Sequence, residues 1–476
     1  MQLFLSPDFH IKTLRKKPKT ALQIAYRLRQ KLLDHQLTNI ACALSSYIPQ
    51  SLFDKHSNKA KTRRRIFSYE NTFWGFFLQS LQADSSCQSI VHQFRVTAQH
   101  NQKKTISPST SAYCQARQRL PEMLLDDIFE YSHQRGNTLH PLVNRRVVCA
   151  DGTGLTAADT AKNKACWPPL ATQRPGCGFP QLRLCALFNL HTGVALSYCV
   201  GNKQSHELPL LRDQENSFQQ NDIFIGDKGF ICFYDQARLL QQGVDSIVAL
   251  SRRKPLSAQQ ADTILGEDDL LVTIPKFTSA IAQSRYPKTR WDSLPSAIQM
   301  RQIKVTITIP GYRTKSVYLL TTLLNEKRYP AHIIAELYRQ RWRVELFFRD
   351  IKTTLSMDIL HSKSPAMVSK EIKMFFIAYN TIRLLIMDSL TETKPTEFAF
   401  KSCVQTLLAY HQQQECYHSK NKRFLLQRLL SYITDCTVLK RPDRIEPRVV
   451  KRRPKPFKLM TKPRQQLKNE LLANAA

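Results

Sequence analysis

Twelve of the thirteen glycines in this chain fall between Gly136 and Gly311, and none follows position 311. Glycine supplies backbone conformations that other residues avoid, so it marks turns and breaks. Turns and strands are therefore expected in the middle segment, and helices in the flanks. Arg146-Val147-Val148-Cys149-Ala150 is apolar and β-branched and reads as a buried strand that stops at Asp151-Gly152. Leu182 to Asn189 and Val194 to Val200 flank His191-Thr192-Gly193 and read as a hairpin. Asp222 to Gly226 is a third short apolar run, and it too stops at an acid, Asp227. Tyr234 to Gln242 reads as a helix closed by Gly243, and Val244 to Leu250 as the next strand, followed by Ser251-Arg252-Arg253-Lys254. A second β-rich block spans 255–328, with strands at Leu270 to Ile274, Ile303 to Ile309 and Ser316 to Thr322 and a turn at Pro310-Gly311.

The flanks carry helical periodicity. Before the middle segment these are Tyr26 to Tyr47, the apolar stretch Thr72 to Arg95, in which Asp84-Ser85-Ser86 reads as a turn or cap and Ile90 to Phe94 starts another helix, then Ser111 to Arg119 and Glu122 to His133. After it come Ala331 to Thr354, Val368 to Leu390, Phe398 to Tyr410 and Lys422 to Ile433. Basic clusters stand at Arg15-Lys16-Lys17 and Arg63-Arg64-Arg65. From Lys420 onward sixteen Lys and Arg outnumber four acids, and Arg452-Arg453-Pro454-Lys455-Pro456 is broken by proline, so this tail reads as a flexible arm that touches phosphate.

Charge narrows the partner. Lys and Arg number 70 against 37 Asp and Glu, a formal net charge of +33, which favours a polyanion. A membrane is disfavoured, because no apolar run approaches the ~20 residues a spanning helix needs, and the first residues lack the charged and apolar regions of a signal peptide. The twelve cysteines show no C-x2-C pair and read as free thiols of a reducing, cytoplasmic compartment. A Cys/His metal site is not expected.

Three acids then stand out. Asp151 and Asp227 each end a buried strand, at the sheet rim where loops build sites. The third lies on the helix Ala331 to Thr354. At ~100° per residue, Tyr338, Arg341, Glu345 and Lys352 share one arc of about 60°, in which Glu345 is the single acid. Leu337, Val344, Phe348, Ile351 and Leu355 form the adjacent apolar stripe, and Asp350 and Glu336 point away. Taken singly, each acid also fits a bland role: Asp-Gly is a common turn pair, and a charged helix face is usually solvated. Taken together on a chain this basic, they fit a site for hard divalent ions, Mg2+ or Mn2+, which take carboxylate oxygens. Two such ions could activate an attacking oxygen and stabilise a leaving one at a phosphate, with Arg341 and Lys352 on flanking phosphates.

At Asp151-Gly152-Thr153, Gly226-Asp227-Lys228-Gly229-Phe230 and Tyr338-x2-Arg341-x3-Glu345-x6-Lys352 the chain resembles the DDE transposases of the IS4 insertion-sequence type, whose Y-R-E-K signature the last spacing matches without a gap. The similarity extends through Ala112-Tyr113-Cys114-Gln115-Ala116-Arg117, Pro175-Gly176-Cys177-Gly178-Phe179-Pro180 and Asp350-Ile351-Lys352-Thr353-Thr354-Leu355, covering about 65–390. One departure is Lys228, where relatives often carry Arg, which loses planar bidentate contact while keeping charge.

The resemblance implies an α/β fold: a ribonuclease-H-like mixed sheet with flanking helices, interrupted by a β-rich insertion, plus an N-terminal helical domain. The corresponding regions are 1–140 (helical, DNA-binding), 141–254 (first part of the core), 255–328 (insertion), 329–390 (second part of the core) and 391–476 (helical and basic). It implies Asp151, Asp227 and Glu345 as catalytic residues holding two divalent metals, with Tyr338, Arg341 and Lys352 on DNA; Arg252 and Arg253 are further candidate DNA contacts. It also implies cutting of insertion-sequence ends, strand transfer into target DNA, a homodimer on paired terminal repeats, and a bacterial, nucleoid-associated location. Two competing readings remain open at this level: a non-catalytic DNA-binding relative that represses by occupying the ends, and a metal-dependent nuclease without strand transfer.

Overall fold

The computed structural model describes residues 38–56, 66–82, 84, 86–100, 105–170, 174, 176–203, 205–250, 255–306, 316–390, 398–412, 422–438 and 461–475. The chain divides into two compact units, 1–124 with 408–427 and 125–407 with 428–476. Among the described residues no helix is long and apolar enough to cross a membrane.

The first unit is helical. Ser68 caps the helix Tyr69–Leu81 by accepting from the Asn71 backbone N–H at 3.1 Å. That helix is buried from Asn71 to Leu81, and Phe73, Trp74 and Phe77 meet edge to face or tilted within it. Gly75 leaves room for the next elements: a Cβ there would lie 3.0 Å from the Phe94 ring and 3.3 Å from that of Tyr113. Phe94 comes from the helix Cys87–His100 and Tyr113 from Ser111–Arg119.

The second unit is mixed α/β, built on one ten-stranded sheet. Its strands are β1 (Val147–Ala157), β2 (Gln181–Asn189), β3 (Ala195–Asn202), β4 (Ile223–Gly226), β5 (Asp245–Ala249), β6 (Thr263–Gly266), β7 (Asp269–Pro275), β8 (Ala297–Thr306), β9 (Ser316–Thr321) and β10 (Ile359–Leu360). The order is β3-β2-β1-β4-β5-β9-β8-β7-β6, with β10 on β1. β1–β4 and β4–β5 are parallel, while β1–β2 and β2–β3 are antiparallel. The helix Phe233–Gln241 makes the crossover from β4 to β5, and Gly243, at φ 71°, ends it in a conformation that suits glycine. The helix Pro365–Asp388 is buried on nearly every face, and Asn380 ties it to β3 by bonding both backbone groups of Ala195.

The β-rich block at 255–328 joins this sheet: β9 pairs with β5 at Ile247↔Thr321 and with β8 at Arg301↔Thr321. β6 was not expected from the pattern. The strand at Ile303 begins earlier, at Ala297, and residues 307–315, with the expected Pro310-Gly311 turn, lie outside the described residues.

Four further expectations change. β1 does not stop at Asp151, because β2 supplies antiparallel partners through Thr156↔Gln181 and β10 adds Thr156↔Ile359. The short helices Ala161–Cys166 and Glu207–Arg212 were not anticipated. The basic tail ends in a helix, Arg464–Ala475, while Arg452 to Pro456 lie outside the described residues. The long helix at 331–354 is three pieces: Ala331–Gln340, Arg343–Arg349 and a π-helical turn at Asp350–Thr354.

Candidate active site

The parallel register of β1 and β4 pairs Val147 with Ile223, Val148 with Phe224 and Cys149 with Ile225. Continued two residues further, that register brings Asp151 level with Asp227. Neighbouring strands lie ~4.8 Å apart, and alternate residues share a face, so both acids follow the side of Cys149 and Ile225. The two strands then behave differently. β1 runs on, held by Asp151↔Ala186. β4 ends at Gly226, where a Cβ would sit 2.8 Å from that of Phe230, and Asp227 caps the following turn by accepting from the Gly229 N–H at 2.7 Å.

Burial pushes the Asp151 carboxyl up to about 6, and the charges of Glu207 and Asp227 push the same way; the Gly152 N–H, which it accepts at 2.8 Å, and Arg341 oppose this. Asp151 therefore ionises against its surroundings.

Arg341 Nη2 lies 3.6 Å from Glu345 Oε1. The charges of Asp151 and Asp227 also act on Arg341, so the cation answers all three acids. The backbone here is tighter than an α-helix: Arg341 N–H bonds Tyr338 O, Val344 N–H bonds Arg341 O, and Glu345 N–H bonds Trp342 O, all three residues apart. It then loosens, with Leu355 N–H bonded to Asp350 O, five residues apart. A uniform 100° wheel thus misstates the arc, although the apolar stripe of Leu337, Val344, Phe348, Ile351 and Leu355 is buried as expected. Such irregular turns recur at functional sites.

Tyr338 is half-buried, with the Arg341 guanidinium 5.9 Å from its ring centre, and burial raises its phenol above the usual range. Lys352 donates to Thr153 Oγ1 and Gly154 O, each at 3.0 Å, further along β1. Burial lowers its ammonium, and the charge of Lys203 adds to that. The acids expected to point away have structural partners: Asp350 accepts from Arg383 at 2.7 Å, and Glu336 from Arg339. Lys228 is exposed. Arg252 and Arg253 lie outside the described residues.

Glu207 escaped the sequence reading. It occupies the space that a Cβ on Gly152 would need, pairs with Arg183 at 3.2 Å, and lines a cavity of about 300 Å³ with Arg183, His206, Leu208 and Gly229. A Cβ on Gly154 would likewise lie 2.7 Å from Lys203 Nζ. The signal was present: glycine inside a strand marks close approach by another group.

Among the described residues, no three or more His, Cys, Asp or Glu side chains are grouped so as to hold a metal ion. The chemistry of Asp151 and Asp227 nevertheless suits a hard divalent cation. They stand level on neighbouring parallel strands, and burial, with the charges of Glu207 and Asp227, disfavours the ionised form of Asp151 that a cation would stabilise.

The family described as the Transposase DDE domain matches residues 144–381, half of the chain. The chain is 24% identical over 441 residues to the transposase InsG for insertion sequence element IS4 of Escherichia coli strain K12, covering 90% of this chain and 96% of that protein. It is 34% identical over 74 residues, 16% of this chain and 19% of that protein, to the transposase for insertion sequence element IS421 of Escherichia coli. A cryo-EM structure of the piggyBac transposase synaptic complex with hairpin DNA aligns at a TM-score of 0.38 and 10% identity, over 87% of this chain and 86% of that one.

Proposed function

Because this chain belongs to the IS4-type family of DDE transposases, and is a DNA transposase that cleaves DNA and transfers strands, we propose that Asp151, Asp227 and Glu345 are its catalytic carboxylates. The family generally works with divalent metal; here we infer two ions, Mg2+ or Mn2+, held by these three side chains. When bound, such ions supply an activated attacking oxygen and stabilisation of the leaving one. The observation that supports this reading is the shared register of Asp151 and Asp227 on parallel strands, with Arg341 answering both and pairing with Glu345.

In this reading Asp151 and Asp227 are fixed by the sheet, and Glu345 by a helix packed through its apolar stripe. Arg341 neutralises the carboxylates before DNA arrives and then binds a phosphate beside the cut. Lys352 exchanges its bonds to Thr153 and Gly154 for a flanking phosphate. Tyr338 braces Arg341 and borders the DNA, and Arg252 and Arg253 extend the basic track. The strand order β3-β2-β1-β4-β5, antiparallel on one side of β1 and parallel on the other, supports a ribonuclease-H-like core that β9, β8, β7 and β6 extend. The substrates are then the terminal repeats of an insertion sequence and a target DNA, engaged by a homodimer in the bacterial nucleoid.

The test compares Asp151→Asn, Asp227→Asn and Glu345→Gln with the parent on DNA carrying the element's ends. Each variant should bind that DNA and lose Mg2+-dependent cleavage. Cleavage retained by all three would overturn the assignment.

A further inference from the structure

Beyond Asp151, the edge of β1 that faces away from β2 stands open between two partners. β4 pairs with it only as far as Cys149, and β10 joins at Thr156, whose N–H bonds Asp358 O at 3.0 Å. Alternate residues of a strand present their backbone groups to the same edge, so the Gly154 carbonyl opens on this gap. Lys352 covers it, donating to Gly154 O and to Thr153 Oγ1, each at 3.0 Å.

A second lysine arrives from the other side of the sheet. The register Gly154↔Arg183↔Gly201 runs straight across β1, β2 and β3. Lys203 follows two residues later, in a turn pinned by Ser205, whose N–H bonds Asn202 O at 3.1 Å and whose hydroxyl donates to Asn202 Oδ1 at 3.1 Å. Its side chain folds back over β2, and its Nζ lies 2.7 Å from the place a Cβ on Gly154 would take. Two half-buried ammonium groups thus meet at one glycine, one on its carbonyl and one in the space a side chain would fill. Among the described residues neither forms an ion pair with a carboxylate, whereas the neighbouring Arg183 is matched by Glu207.

We propose that Lys203 and Lys352 together clamp one phosphate of the DNA backbone at Gly154. Two like charges held against one residue repel each other, and an anion between them removes that cost. Burial and the charge of Lys203 lower the Lys352 ammonium, and only the charge of Asp358 opposes them. Lys352 bonds neutral oxygens, and a charge-assisted bond to phosphate is roughly twice as strong. Glycine within a strand marks close approach by another group, and Gly154 keeps the clamp clear of a side chain. At ~3.3 Å per residue Gly154 stands about 10 Å along β1 from Asp151, so the clamped phosphate is a neighbour of the reacting one and sets the register of the DNA strand on the site. The share of Lys352 rests on its proposed contact with a flanking phosphate; Lys203 is the addition.

The test measures binding of the full-length protein to duplexes carrying the element's end, without divalent ion so that no cutting intervenes. Single methylphosphonates, each removing one phosphate charge, are walked through the positions beside the cut. One position should weaken binding by the parent. At that position the penalty should shrink in Lys203→Ala and in Lys352→Ala and vanish in the double variant. The slope of log K against log salt should also fall by about 0.9 in the double variant, the effect of one neutralised phosphate. Gly154→Ala displaces only the end of the flexible Lys203 side chain, so it should shrink the same penalty and leave the urea midpoint unchanged. If Lys352→Ala shrinks the penalty and Lys203→Ala does not, Lys203 is outside the clamp and the proposal fails while Lys352 keeps its phosphate. If Lys352→Ala shrinks no penalty at any position, the phosphate contact of Lys352 fails and the clamp with it.

Discussion

Arg341 reaches Glu345 across a backbone turn wound more tightly than an α-helix, and holds a carboxylate oxygen 3.6 Å from its guanidinium. The pair is partly solvated, so its weight in folding is small, about 0–1 kcal/mol for exposed pairs. Its weight in catalysis should be larger, since removing one positioned charge-stabilising donor costs roughly 100- to 1,000-fold in rate. Arg341→Gln should therefore leave the urea midpoint nearly unchanged while single-turnover cleavage falls by about two orders of magnitude. Equal, small losses in both would remove Arg341 from the site.

Gly152 tests the approach of Glu207 to β1. Gly152→Ala puts a methyl group where Glu207 lies, forcing that side chain away from Arg183. Overpacking of this kind costs about 1–3 kcal/mol. Denaturant unfolding should show that loss, and Glu207→Ala should restore most of it. An unchanged penalty in the Glu207→Ala background would mean that something else crowds Gly152.

The buried pair Asp350–Arg383 is a structural counterpart to the site. Both side chains are nearly inaccessible, and Arg383 also donates to Tyr379 Oη at 3.0 Å. Arg383→Met leaves the buried Asp350 carboxylate with only the exposed Arg349, 3.7 Å away, and breaking a buried pair typically costs about 3–5 kcal/mol. Adding Asp350→Asn should recover part of the loss in thermal unfolding. If the double variant is no more stable than Arg383→Met, the pairing is not the source of the cost.

His411 gives a pH dependence. Burial holds its ring down to about 4 from an ordinary value near 6.5. The folded chain keeps the imidazole neutral where the unfolded chain protonates it, so this contribution is complete above pH 6.5 and lost as pH falls towards 4. The unfolding free energy of the parent should decline across that window, by up to about 3 kcal/mol from this ring. His411→Gln should flatten the decline. Parallel curves for the two proteins would show that other groups carry it, such as His133, His140 and His191, each also lowered by burial.

Much of this protein is legible in one dimension. The hairpin around His191-Thr192-Gly193, the short strand ending at Asp227, the helix closed by Gly243 and the buried stripe from Leu337 to Leu355 all follow from periods of two or 3.6 and from turn residues. Asp151, Asp227 and Glu345 stood out for the same reason: an acid at the end of an apolar run, or alone among cations, is visible locally. What only the tertiary structure decided depends on partners distant in the chain. β1 continues past Asp151 because β2 and β10 supply hydrogen bonds there, and Glu207 fills the space that Gly152 leaves. The break at Arg341 and the π turn after Asp350 contain neither glycine nor proline, so nothing local announces them. Propensity reports what one residue prefers among its neighbours, whereas these features are set by which separate segments the fold packs together.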